Sequence, residues 1–72
     1  MLNKYAVAVS SKETPWIETV SATSIKDAED KLIIKFTEQY DLSNATDWDT
    51  FLDVAWDEAE LLFGEIEDIE IL

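Results

Sequence analysis

Residues 46–64 read TDWDTFLDVAWDEAELLFG, and their apolar positions decide the architecture. Trp48, Phe51, Leu52, Ala55, Ala59 and Leu62 recur at i, i+3, i+4, i+7, i+11 and i+14, the spacing of one buried face of an α-helix. Thr46 and Asp49 form a possible capping box, so the helix begins near Thr46 or Asp47. Gly64, the sole glycine, stands where a left-handed C-terminal cap is expected.

Working upstream, residues 41–46 (DLSNAT) read as a loop. Before them Ile25, Ala28, Leu32, Phe36 and Tyr40 share helical spacing, with Ile33 beside the stripe, giving an amphipathic helix of about 15 residues. Ser24-Ile25-Lys26-Asp27 resembles a capping box at its start. Ile34 falls off the main face and marks either an exposed apolar spot or a wider buried face. Residues 2–10 (LNKYAVAVS) alternate Tyr5, Val7 and Val9 against Lys4, Ala6, Ala8 and Ser10, the period of a strand. Residues 11–15 (SKETP) suit a turn, and Trp16 to Ala22 (WIETVSA) a second strand, so the first 22 residues form a hairpin. Pro15 stands at the strand's start, where its missing N–H removes no ladder bond. Downstream, Glu65 to Leu72 (EIEDIEIL) alternates acid and isoleucine with one slip at Asp68, a third strand with a bulge or kink there.

The order is ββααβ. Two one-faced helices and a three-stranded sheet with one face to cover predict an α+β, two-layer single domain, its mostly antiparallel sheet packed against both helices. An αα-hairpin returns the chain to the end it left, so the last strand is expected antiparallel to the second. The sequence leaves open whether it lies beside strand one or strand two. At 72 residues a single core supplies only about 3–5 kcal/mol. The 47% apolar content, with three Trp and three Phe, argues for folding rather than disorder. No Cys is present, no run reaches the roughly 18 apolar residues of a membrane span, and no secretory leader pattern opens the chain, so a cytoplasmic protein is expected.

Charge is distributed unevenly. Residues 1–36 hold five lysines against five carboxylates, whereas residues 37–72 hold twelve carboxylates and no cation, so the net charge of −12 sits in one half. Asp49, Asp53, Asp57 and Glu60 follow i, i+4, i+8 and i+11 on the second helix, with Asp47 and Glu58 flanking them. Like charges at i, i+4 destabilise a helix by roughly 0.2–0.5 kcal/mol per pair, and Glu58 and Glu60 approach the negative end of the dipole. Crowding of this kind predicts raised carboxylate pKa values and stability that grows as pH falls toward them. A face kept only for solubility would interleave lysine; this one does not.

The interval suggests a partner. Helical residues four apart lie about 6 Å apart along the axis, and phosphates on one DNA strand advance about 3.4 Å along theirs. The stripe, extended by Glu65, Glu67, Asp68 and Glu70 on the last strand, is expected to imitate a phosphate track for a basic, nucleic-acid-binding protein. Trp48 reads as core, Trp16 as packing and Phe63 as a cover for the helix end. Trp56 is either a rim residue of the core or an anchor set among the acids.

Other functions are poorly supplied. With no His or Cys and no base beside a serine, no catalytic residues are assigned and an enzyme is not expected. Asp47, Asp49 and Glu58 match positions 1, 3 and 12 of an EF-hand loop, but position 5 is Phe51 and position 6 is Leu52 where glycine is required, so no metal site is assigned. No cofactor is expected. Direct binding to nucleic acid or to an anionic membrane lacks the necessary basic patch. In size, acidity and mixed α/β pattern the whole chain resembles the small acidic inhibitors encoded by phages and mobile elements: DNA-mimic anti-restriction proteins, anti-CRISPR proteins and modifiers of host enzymes. That resemblance implies a stoichiometric binder that blocks a host restriction, CRISPR or other nucleic-acid-handling enzyme. The alternative is an acidic antitoxin or adaptor whose basic partner need not bind DNA.

Overall fold

The computed structural model describes residues 2–12 and 14–69. Its elements are β1 (Asn3–Ser10), β2 (Pro15–Ala22), α1 (Ile25–Tyr40), α2 (Trp48–Ala59), β3 (Leu62–Phe63) and β4 (Glu67–Asp68). The fold is α+β in two layers, with an antiparallel sheet of four strands where three were expected. β1 is central: β2 pairs along its whole length on one side, and β3 and β4 follow each other along the other. Alternation along β1 sends Tyr5, Val7 and Val9 to the helix side, where they are 5%, 2% and 0% exposed.

α1 starts as its sequence indicates. Ser24 is the N-cap, accepting from the Asp27 N–H at 3.1 Å. Asp27 reaches back one residue further than a standard capping box, accepting from the Thr23 N–H at 2.9 Å. Ala28, Leu32, Ile33 and Phe36 form its buried face, and Ile34 is an exposed apolar spot at 60%. A polar clamp fixes the helix to β2: Glu18, on the helix side of the sheet opposite Val7, accepts from the Trp16 indole N–H at 3.1 Å and from the Lys35 ammonium. Burial pushes the Glu18 pKa up, but those two donors and the charge of Lys35 outweigh it and hold the group below its ordinary value.

The last strand departs from expectation in direction, and the 41–47 segment is the reason. Instead of a tight helix–helix turn, this segment runs back along α1. Leu42 is buried, and Asn44, Ala45 and Thr46 line shallow grooves with Asp30, Ile33, Ile34 and Thr37. Asp47 thereby lies close enough to Lys26, near the start of α1, for their charges to attract. α2 then descends again in the direction of α1 and delivers the chain to the β-hairpin end. β3 therefore begins beside the end of β1 (Leu62 opposite Ser10) and runs antiparallel to β1, hence parallel to β2.

The bulge is also displaced from Asp68. Val9 faces Phe63 and Ala6 faces Glu67, so two residues of β1 (Val7, Ala8) oppose three (Gly64, Glu65, Ile66). One extra residue there splits the expected single strand into β3 and β4. The chain stays attached across the gap: the Gly64 N–H bonds the Ala8 carbonyl at 2.8 Å, and the Ile69 N–H bonds the Lys4 carbonyl at 3.0 Å.

Five rings fasten the layers together. Phe36 of α1 lies 5.8 Å from Tyr40, 6.5 Å from Phe51 of α2 and 5.1 Å from Phe63 of β3. Trp48 and Phe63 are each within 5.3 Å of Phe51. Phe63 thus joins the aromatic core itself rather than only covering a helix end. Among the described residues no helix lies over the opposite face of the sheet.

Candidate functional site

α2 carries the acids, and its ends are defined by them. Asp47, rather than Thr46, is the N-cap: its carboxylate accepts from the Thr50 N–H at 2.7 Å, and Asp49 in the first turn suits the positive end of the dipole. The helix stops at Ala59, earlier than its periodicity suggests. Glu60, not Gly64, adopts the left-handed cap, at φ 54°, and the Glu60 and Leu61 N–H groups bond the Trp56 and Ala55 carbonyls at 3.0 and 3.1 Å. A side chain in that conformation costs on the order of 1 kcal/mol. In return Leu61 turns inward to 1% exposure and Leu62–Phe63 reach β1. Lys12 of the hairpin connection pairs with Glu60 at 2.9 Å, setting a cation against the acid at the helix's negative end.

At about 100° per residue, Asp49, Asp53, Trp56 and Glu60 fall within an arc of about 60° on the exposed side of α2, while Asp57 lies about 80° from Asp49. Asp49, Asp53 and Asp57 are exposed and make no ion pair among the described residues. Trp56 is 49% exposed, so it belongs to the acid stripe more than to the core rim. The other lysine pairs stay within the N-terminal half: Lys26 with Asp30, Lys31 with Asp27 and Lys35 with Glu18.

The remaining acids are dispersed. Glu58 holds the preceding loop, accepting from the Ser43 N–H at 2.9 Å. Glu65 is exposed within the bulge. Glu67 pairs with Ala6 and so projects from the bare face of the sheet, whereas Asp68 pairs with Tyr5 on the helix side and is half-buried. Glu70 lies outside the described residues. The helix stripe and the tail therefore do not merge into one track. Sequence reasoning missed Lys12 and Tyr40, which with Ser11, Asp57, Glu58 and Glu60 line an open cleft of about 420 Å³ at the end of α2. Among the described residues no group of three or more carboxylates is placed to hold a metal ion.

Hydrogen bonds reverse the expected pKa direction at Asp47 and Glu58 and lower Asp27 of α1 as well. The Thr50 N–H holds Asp47 below its ordinary value of 3.8, the Thr23 N–H does the same for Asp27, and bonds from Ser43 lower Glu58 from 4.5. A carboxylate with a depressed folded-state pKa stabilises the fold above its unfolded value and ceases to as pH falls through the folded one. The urea midpoint is therefore expected to hold from pH 7 to 5 and to fall below about 4.5. A midpoint that rises between pH 5 and 3.5 contradicts these assignments.

Comparison with protein-family models, with curated proteins and with solved structures finds no match to this chain. Among the described residues no helix is long and apolar enough to cross a membrane.

Proposed function

We propose that the chain is a cytoplasmic, non-enzymatic, stoichiometric inhibitor that presents α2 as a mimic of nucleic-acid phosphates and occupies the basic groove of a DNA- or RNA-handling protein. Restriction, CRISPR and other defence enzymes are the class of target. The observation that carries this reading is the row of Asp49, Asp53 and Glu60 along one side of α2 and its cap, with Asp57 beside it: Asp49, Asp53 and Asp57 are exposed and without an ion pair among the described residues, and Lys12 meets the row at Glu60. The row spans about 16 Å of helix, enough to meet several cationic side chains at once. Asp47 and Glu58 support the face rather than form it, since each is committed to a backbone N–H.

Trp56 favours a second reading. An indole within the stripe has no counterpart in a phosphate backbone, and it suits an apolar or arginine-bearing pocket of one particular protein. That is the antitoxin or adaptor case. Capture on immobilised protein from a bacterial lysate separates the two. A mimic retains nucleic-acid-binding proteins at about 50 mM salt, releases them near 500 mM, and yields them to excess duplex DNA or RNA. Retention of one protein that resists both nucleic acids assigns the adaptor role, and retention indifferent to salt removes both electrostatic readings.

A further inference from the structure

The 41–47 segment does not close over α1 completely. Two grooves of about 270 and 320 Å³ lie between them and run together, since Ile33, Ile34 and Ala45 line both. Their shared floor is apolar, and Ile34 stands 60% exposed in it. Thr37, in the wall of the first groove, carries a buried hydroxyl with no hydrogen-bond partner among the described residues. A polar group left so is uncommon in a finished contact, and it marks the packing of the segment on the helix as incomplete. Carboxylates stand at both ends: Glu38 lines one groove and Asp30 the other. Asp30 already holds the Lys26 ammonium at 2.7 Å. Glu38 is exposed and makes no ion pair among the described residues. It also belongs to the last turn of α1, where no basic residue offsets the negative end of the dipole.

We propose that this groove binds an extended segment of a partner protein in which one apolar residue is flanked, two positions away on each side, by lysine or arginine. The spacing carries the assignment. Asp30, Ile34 and Glu38 follow i, i+4 and i+8, so successive members lie about 6 Å apart along one side of α1. Alternate side chains of an extended chain share a face at about 6.6 Å, close to the same interval. The apolar side chain of the segment then lies between Ile34 and Ala45 while its cations reach Glu38 and Asp30. Glu38 makes the stronger charge contact, because Asp30 shares Lys26. The same carboxylates, on a chain of net charge −12, turn an acidic segment away. This site is separate from the acid face of α2 and does not depend on what that face binds.

Titrating the isotope-labelled full chain with the capped peptide Lys-Ser-Leu-Ser-Lys, followed by two-dimensional NMR, tests this. Saturable shifts are expected at the amides of Ile33, Ile34, Thr37 and Ala45. Lys-Ser-Ser-Ser-Lys keeps the charges and Glu-Ser-Leu-Ser-Glu keeps the apolar residue; each is expected to bind at least about tenfold more weakly. Ile34→Ser and Glu38→Lys, both at exposed positions, are expected to weaken the first peptide by a similar factor with the circular dichroism spectrum unchanged. Should either variant disturb the helix, the other serves. Shifts confined to α2, or equal groove shifts with the serine peptide, overturn the proposal, because charge alone then explains the binding. Equal groove shifts with the glutamate peptide overturn it as well, leaving a groove that does not select cations. So does the lack of any saturable groove shift up to about 5 mM peptide. Groove shifts that grow with protein concentration in the absence of peptide assign the groove to a second copy instead. None of these results bears on the acid face of α2, whose partner is captured separately.

Discussion

Replacing Phe36 with alanine is expected to leave the chain largely unfolded at room temperature. Phe36 is 0% exposed and is the ring through which α1 meets both α2 and β3, at 6.5 Å from Phe51 and 5.1 Å from Phe63. Phe→Ala in a packed core removes about 3–5 kcal/mol, through lost burial and the cavity left behind. A core of this size supplies about the same amount. Neighbours have little freedom to close the gap, since Tyr40 stacks on Phe36 and Phe51 is held between Trp48 and Phe63. Phe36→Leu keeps most of the volume and is expected to fold with a urea midpoint below that of the parent. Far-UV dichroism and tryptophan fluorescence against urea read both variants. A cooperative transition for Phe36→Ala within about 1 kcal/mol of the parent would show that the aromatic cluster does not join the layers.

The elements were legible because their periodicities are long and their caps chemically plain. Tyr5, Val7 and Val9 alternate, Ser24 caps α1, and Phe36 and Phe51 fall at the centres of their helical stripes. The direction of the last strand was not legible, because it depends on the path of residues 41–47. Nothing in DLSNAT distinguishes a tight turn from a segment that climbs back along α1. The end of α2 was misplaced for a related reason. Leu61 and Leu62 continue a helical pattern, yet burying Leu61 and pairing Leu62 and Phe63 with β1 outweighs the strain of a glutamate at positive φ. Gly64 is not the cap: its φ is not positive, and a Cβ there would meet the Ala8 Cβ at 3.5 Å, an ordinary contact, so its surroundings do not demand glycine.

Within the site, helical spacing was enough to align Asp49, Asp53 and Glu60, and it also contained the position of Trp56, which only the observed exposure separates from the core rim. Strand parity was the weaker guide. The extra residue between Phe63 and Glu67 inverts every side chain beyond it relative to an unbroken strand. Glu67 and Asp68 consequently face opposite sides of the sheet, and the tail does not extend the helix stripe. The Lys12–Glu60 pair joins residues 48 positions apart and leaves no local signature.

Reversing two charges in the middle of that stripe, Asp53→Lys with Asp57→Lys, is expected to weaken capture of the basic partner at least about a hundredfold while the fold stays as stable as the parent or gains slightly. The fold benefits because Asp49, Asp53 and Asp57 repel at i, i+4, and a lysine at position 53 meets Asp49 one turn earlier in the favourable order of acid before base. A lysine at position 57 also approaches the negative end of the α2 dipole, where Glu60 now stands against Lys12 alone. Both positions are exposed and neither side chain bonds a backbone N–H of the loop, in contrast to Asp47 and Glu58, so the caps and the 41–47 segment are untouched. Partner binding suffers because each lysine sets like charge against a cationic groove. Thermal melts and salt-dependent binding measured on the same variant read the two effects separately. Partner binding that survives the double change at low salt excludes this face of α2 as the contact surface.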